Sequence, residues 1–526
     1  MRKRLEILDS TLRDGSQGEG ISFTVIDKLN VVKALDFLGV SYIEAGYPTS
    51  NPKDIEFFKE ASKIKFEFSR LTAFGSTRRK NTQVSEDSGI NALLSANTPC
   101  VCIFGKSSPS HVKIVLNVSQ EENLNMIKDS VSYLKKNGKE VLYDAEHFFD
   151  GYKEDSDYAM QTLKAAADAG ADCLILCDTN GGSFPDEIFE AVKRVKDTFN
   201  CKTGIHCHND GGMAVANSIA AVNAGAVHIQ GTLLGFGERC GNANLSTIIP
   251  NLQLKKDFLC IPTGKMAFLT DISRQIAELA NVKLNNNEPY IGISAFAHKA
   301  GMHADGVAKS SASFEHISPN KVGNERRILM SEMAGRTAIL QRLQKIDKEL
   351  SKESPETQDV INRIKELEHE GYQFEGAEGS LELIIRKQLG KYRPFFKLEN
   401  YSIISNQHEL GRSSSTTAIK ILVKDQHEIT AAEGNGPINA LDKALRKVLS
   451  GFYPSLDKVH LIDYKVRVID SETATASKVR VLIESTDGHA VWTTIGVSTD
   501  IIEASWIALV DSIEYKLMKD TESKKQ

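Results

Sequence analysis

Over about its first 260 residues the chain alternates short apolar runs with stretches of helical periodicity, eight times in succession. The runs fall at 5–9, 42–45, 68–73, 101–104, 141–145, 173–177, 203–206 and 227–230. Helical patterns lie between most of them, for instance at 24–38, 121–137, 157–169, 185–198 and 212–224. Short apolar runs between helices predict strands buried on both faces, hence β/α units around a parallel sheet. Eight such units in this length match a TIM (β/α)8 barrel. A doubly wound open sheet is the rival, but no Gly-rich dinucleotide turn follows the first run.

In a barrel, reacting groups sit on the loops beyond the strands' C-terminal ends. Polar clusters fall at those places. Thr11-Leu12-Arg13-Asp14-Gly15-Ser16-Gln17 follows the first run, Glu44-Ala45-Gly46-Tyr47-Pro48 ends the second and Asp144-Ala145-Glu146-His147 the fifth. Cys177-Asp178-Thr179-Asn180-Gly181-Gly182 ends the sixth, and Gly235-Phe236-Gly237-Glu238-Arg239-Cys240-Gly241-Asn242 follows the eighth. The seventh ends in His206-Cys207-His208. On a strand, residues two apart point to one side, so both imidazoles face together, as zinc, manganese or iron requires. A bare His-x-His also suits two hydrogen-bonded histidines in a buried strand. Closure places the first strand beside the eighth, which brings Asp14 within reach of His206 and His208. Asp14 alone reads equally as a turn or cap carboxylate. Gly235-x-Gly237 is a weak phosphate-loop signal.

The charge balance, 64 basic against 69 acidic residues, gives no reason to expect nucleic acid or an anionic membrane as partner. No apolar run approaches a membrane span, and the basic start lacks a signal-peptide core, so a cytoplasmic protein is expected. The eight cysteines lie between Cys100 and Cys260 without a Cys-x-x-Cys, which predicts reduced, buried thiols rather than a zinc ribbon.

Three domains are expected: a catalytic barrel over 1–265, helical linker subdomains over 266–379 and a C-terminal α+β domain over 380–526. The linker carries a second polar cluster, His298 to Gly306, and residues 345–370 predict a solvated connecting helix. From about Ser380 strands are predicted at 381–386, 401–405, 418–423, 465–469 and 479–484. A helix follows each group, at 437–450 and from the segment 495–500 to about Met518, a duplicated β-β-β-α unit. The tail 519–526 is expected to be disordered.

Together, Arg13-Asp14-Gly15-Ser16-Gln17, His206-x-His208 and Gly241-Asn242 resemble the acyl-CoA condensing enzymes that include 2-isopropylmalate, homocitrate and citramalate synthases. The resemblance covers essentially the whole chain. Asp144 to Lys153, Glu19-Gly20 and Ser50-Asn51-Pro52-Lys53-Asp54 resemble the citramalate branch. It implies joining acetyl-CoA to pyruvate, on the route to isoleucine, in a homodimer whose C-terminal domain binds an amino-acid feedback inhibitor. It also implies a divalent ion (Zn, Mn or Mg) held by Asp14, His206, His208 and Asn242. Arg13 stabilises developing negative charge, Glu44 and Thr179 join it in binding substrate, and Glu146 and His303 move the proton. Phe314 stands where the family usually has tyrosine. For Arg13 and Glu44 the alternative is a plain ion pair, for Thr179 and Asn242 a cap or turn, and for His303 a loop histidine. As whole readings, a 2-oxoisovalerate-specific synthase, a metal-dependent aldolase or lyase, and a binding protein are the rivals.

Overall fold

The computed structural model describes residues 2–49, 52–298, 306–307, 310–328, 340, 342–344, 346–351, 353–374, 376–407, 413–469, 477–488 and 490–523. It divides into two compact units, Met1–Phe296 with Ile317–Arg326, and Ala297–His316 with Arg327–Gln526.

The first unit is a closed eight-stranded parallel barrel. Its strands are β1 (Glu6–Asp9), β2 (Tyr42–Glu44), β3 (Arg70–Ser76), β4 (Cys100–Lys106), β5 (Glu140–Glu146), β6 (Cys173–Asp178), β7 (Lys202–Cys207) and β8 (His228–Gly231). Closure is made by β1 pairing with β8, from Glu6 opposite His228 to Asp9 opposite Gly231. Around them lie α1 (Val25–Leu38), α2 (Pro52–Ala61), α3 (Ser88–Ser95), α4 (Gln120–Lys136), α5 (Ser156–Asp168), α6 (Pro185–Thr198), α7 (Ala214–Ala224) and α8 (Leu245–Lys255). A further helix, α9 (Leu269–Leu279), extends this layer.

Side-chain alternation sorts each strand into two cores. Outward residues such as Ile7, Ile43, Val101, Leu174 and Ile205 pack under the helices. Inward residues Leu8, Tyr42, Cys100, Cys102, Leu142, Cys173, Ile175 and Cys177 fill the barrel. Several of the helices start on side-chain caps. Thr24 accepts from the Asp27 N–H in a reciprocal capping box, and Ser119 accepts from the Glu122 N–H. At Gly39, φ is 89° and a Cβ would lie 2.4 Å from Pro262, so the turn out of α1 needs glycine twice over.

In the second unit, α10 (Pro355–His369) and α11 (Glu378–Gln388) precede a repeated β-β-β-α motif. The first copy is β9 (Lys397–Gln407), β10 (Ser413–Val423), β11 (Gln426–Gly434) and α12 (Pro437–Leu449). The second is β12 (His460–Val468), β13 (Val479–Thr486), β14 (Val491–Ser498) and α13 (Ile501–Ser523). Each set of three strands forms an antiparallel sheet.

Four expectations are corrected. Residues 381–386 are helical, because the alternating apolar side chains Leu381, Leu383 and Ile385 are all buried within α11. Residues 495–498 end β14 rather than open a helix. The tail is ordered through Ser523 as the end of α13. The connecting helix α10 is solvated on one side only, since Val360, Ile361, Ile364 and Leu367 are buried.

Glu514 of α13 is 1 % exposed and accepts from the Phe395 N–H at 3.0 and 3.3 Å. Burial pushes its carboxyl up to about 7, against the pull of these bonds, Tyr392 and Lys387. A carboxyl raised in the folded state stabilises below its unfolded value near 4.5 and loses that contribution as pH rises through about 7. The difference is on the order of 3 kcal/mol. Both tryptophans, Trp492 and Trp506, lie in this unit, so their fluorescence reports its unfolding alone. Between pH 5 and pH 8 the wild-type urea midpoint is expected to fall further than that of Glu514→Gln. Parallel pH profiles for the two chains would disprove the assignment.

Candidate active site at the barrel mouth

Asp14 lies in the turn after β1, its N–H bonded to Ser10 Oγ at 3.2 Å. His206 points inward near the end of β7, and His208 follows two residues later, so both rings reach Asp14. Asp14 Oδ2 is 3.3 Å from His206 Nε2 and 3.9 Å from His208 Nε2, and the two Nε2 atoms are 3.4 Å apart. All three side chains are buried, and among the described residues theirs is the one group of three or more acidic, His or Cys side chains whose ligand atoms all lie within 4.8 Å of one another.

The proton arrangement follows from the neighbours. Gln230 of β8 donates from Nε2 to Asp144 Oδ1 at 2.9 Å, so its Oε1 is the atom facing His206 Nδ1, also at 2.9 Å. The neutral His206 ring therefore carries its hydrogen on Nδ1 and turns the Nε2 lone pair toward Asp14 and His208. Burial alone would raise the Asp14 carboxyl, but Arg13 and the imidazoles hold it well below the usual range. Burial opposes charge on His206, yet its bond to Asp14 raises its pKa. Burial and the His206 charge push His208 down to about 4. A buried carboxylate facing two imidazole nitrogens gathers negative charge and lone pairs at one point, a site calling for positive charge.

Asn242 adjoins His208 and is the candidate for a fourth donor. It pairs with His208 across an isolated antiparallel bridge, and its buried Oδ1 has no hydrogen-bond partner. Its Nδ2 donates to the Phe236 carbonyl at 3.1 Å. A Cβ at Gly237 would sit 2.2 Å from that nitrogen, so this glycine makes room for Asn242. The donor set fits a divalent ion: two imidazoles, one carboxylate and an amide oxygen otherwise orphaned.

Arg13 lies against the same carboxylate, with Nη1 3.2 Å from Asp14 Oδ2. Its Nε and Nη2 both meet Glu44 Oε2, at 2.7 and 2.6 Å. Ser10 Oγ also donates to that oxygen, and the guanidinium lies 3.7 Å above the centre of the Phe74 ring. Burial opposes its charge, but Glu44, Asp14 and Asp144 together raise its pKa, so it is a fixed cation. Glu44 is thus brought to Arg13, with its Oε1 buried and unpartnered.

At the ends of β5 and β6 the pattern is looser. Glu146 Oε2 is ion-paired with Lys106 Nζ at 2.5 Å, and Thr179 Oγ1 accepts from the His147 N–H at 2.9 Å. Arg239 grips Asp210 with two bonds and donates to the Thr179 carbonyl, tying the loops after β6, β7 and β8 together. His303, Ser50 and Asn51 lie outside the described residues. Phe314 is 42 % exposed.

Sequence reasoning passed over Gln230, Lys106 and Phe74, and left Asp144 without a role. Gln230 had a signal, being the one amide in the apolar run 227–230. Asp144 had one too, since alternation sets it on the same side as Glu146. Burial and repulsion from Glu44 push the Asp144 carboxyl up to about 6, while His206 and Arg13 pull it back.

Three family models match the chain: HMGL-like over residues 4–277, homocitrate synthase post-HMGL domain-like over 290–372, and LeuA allosteric (dimerisation) domain over 375–517. The chain is 52 % identical to an (R)-citramalate synthase of Aquifex aeolicus, with 99 % of each chain covered. It is 49 % identical to one of Geobacter sulfurreducens, with 98 % of each covered. Identity to a 2-isopropylmalate synthase of Methanocaldococcus jannaschii is 31 %, over 98 % of this chain and 95 % of that one. No described helix is long and apolar enough to cross a membrane.

Proposed function

We propose a reading that proceeds from one premise: this chain belongs to the (R)-citramalate synthase family. It is an acyl-CoA condensing enzyme that joins acetyl-CoA to pyruvate and, with water, yields (R)-citramalate and free CoA. The observation that carries the choice of acceptor is the gap in identity, 52 % to a citramalate synthase against 31 % to a 2-isopropylmalate synthase, each over nearly the whole chain.

Asp14, His206 and His208, with Asn242 as fourth donor, would hold the divalent ion. Two imidazole nitrogens suit zinc or manganese better than magnesium, which prefers all-oxygen sites. An ion held there would supply Lewis acidity to the 2-oxoacid carbonyl. Arg13, fixed by Glu44 and kept charged, offers N–H donors to the oxygen that gains negative charge. Thr179 holds the pyruvate carboxylate. Glu146 and His303 serve the proton removed from the thioester methyl group, Glu146 being steadied by Lys106.

The division of labour runs with the chain: catalysis in 1–265, linker subdomains in 266–379, regulation and pairing in 380–526. The match to an allosteric (dimerisation) model supports a homodimer with an amino-acid inhibitor site. Ile462, Tyr464, Val466 and Val468 on the edge strand β12 are partly exposed apolar side chains, which accords with a pairing surface. The eight cysteines are free thiols, which accords with a reducing cytoplasm.

The test is thiol release from acetyl-CoA with a panel of 2-oxoacids. Pyruvate is expected to give the fastest release, well ahead of 2-oxoisovalerate. Preference for the branched acid would overturn the acceptor, and release with none of the panel would overturn the condensation.

A further inference from the structure

The two imidazoles of the cation site are held unequally. His208 Nδ1 is buried without a hydrogen-bond partner, whereas His206 Nδ1 lies 2.9 Å from Gln230 Oε1. An imidazole that gives Nε2 to a cation keeps its hydrogen on Nδ1, and that hydrogen needs an acceptor. For His206 the partner is an amide, whose oxygen accepts and whose NH2 does not. Turned over, the amide would donate to Nδ1 and leave the ring's hydrogen on Nε2, where a cation is to bind.

Which way the amide faces is decided across the barrel. Gln230 on β8 and Asp144 on β5 are both buried, and their strands are not neighbours, so they meet through the barrel interior. Gln230 Nε2 donates to Asp144 Oδ1 at 2.9 Å and lies 3.8 Å from Cys102 Sγ. Above about pH 6 Asp144 is a carboxylate, which accepts and does not donate. A reversed amide would set its oxygen against that carboxylate, two buried acceptors with no hydrogen between them.

We infer that Asp144 is a positioning residue for the cation site and that it acts through Gln230, holding the amide oxygen toward His206 Nδ1 so that Nε2 is presented to the ion. A carboxylate behind the amide also polarises it, which makes the oxygen a better acceptor and the ring a stronger ligand. This rests on the reading of Asp14, His206 and His208 as ligands, so the experiment separates the two. The zinc affinity of the full-length enzyme is measured by competition with a chelator. The chains compared are wild type, His208→Ala, Gln230→Leu, Asp144→Asn and the exchange Asp144→Asn/Gln230→Glu, with circular dichroism to report that each is folded.

Gln230→Leu leaves the Nδ1 hydrogen without an acceptor and is expected to bind zinc about tenfold or more weakly than wild type. Asp144→Asn lets the amide turn over and should weaken zinc severalfold. The exchange puts a carboxylate next to the ring and an amide behind it, and should bring affinity back to within about twofold of wild type or better. Asp144→Asn keeps the side chain's shape, so a packing role alone predicts no change there. If Gln230→Leu does not fold, Asp144→Asn and the exchange decide. Zinc bound equally by wild type and His208→Ala would overturn the ligand reading and this inference with it. If His208→Ala loses zinc while a folded Gln230→Leu or Asp144→Asn binds it within about twofold of wild type, or if the exchange binds no better than Asp144→Asn, the inference alone is overturned.

Discussion

His208→Ala is expected to leave a folded chain that no longer retains a divalent cation and that turns over roughly 10³-fold more slowly, a loss of about 4 kcal/mol in transition-state stabilisation. The side chain bears on the fold very little. Its Nδ1 is buried without a partner, and its Nε2 faces only the other members of the cluster. Deleting a partnerless buried polar ring relieves a desolvation cost, so the metal-free variant should melt no lower than the metal-free wild type. Metal content by mass spectrometry, thermal unfolding and thiol release together give the answer. A variant that keeps both stoichiometric metal and full turnover would end the ligand assignment.

Arg13→Lys is expected to lower kcat by about a hundredfold or more while metal content stays near that of wild type. The reason is geometric. One guanidinium meets Glu44 through Nε and Nη2 and Asp14 through Nη1, and lies over the Phe74 ring. An ammonium is a point charge that cannot span both carboxylates and cannot stack as a plane. It would settle on one of them and leave the other buried without its partner. Turnover within a few-fold of wild type would mean that charge alone suffices and that the fork plays no part.

The barrel was legible because strands buried on both faces leave near-continuous apolar runs, and eight runs at one spacing admit few topologies. The third run is expected to stop at residue 73; in the barrel the strand runs on through Ser76, paired with Phe104. The C-terminal unit was harder. β11 carries Gln426, His427, Glu428 and Glu433, which read as loop until a neighbour pairs with them. In α11, Leu-Glu-Leu-Ile-Ile alternates as a half-buried strand would, and a run that short does not distinguish the two periods.

At the site, Asp14, His206 and His208 were visible because all three sit at strand ends and face one way. The pairs that tune them were not. Arg13 with Glu44, Gln230 with His206, and Lys106 with Glu146 each join different strands, so no local pattern couples them.

The seam between β1 and β8 has a consequence for how the protein matures. The carboxylate of the cation site belongs to the opening strand's loop, whereas the imidazoles come from β7 and the residue just beyond it. A nascent chain halted before β8 would already own the carboxylate and both imidazoles and lack only Asn242, yet nothing would hold the two ends of the ring together. Chelation thus waits on circularisation, and a captured ion fastens the first-made part of the ring to the last. Any ion that binds only the closed form draws the folding equilibrium toward it, by an amount set by its free concentration. Scarcity of the ion would then be felt twice, as idle active sites and as rings more ready to open at that seam.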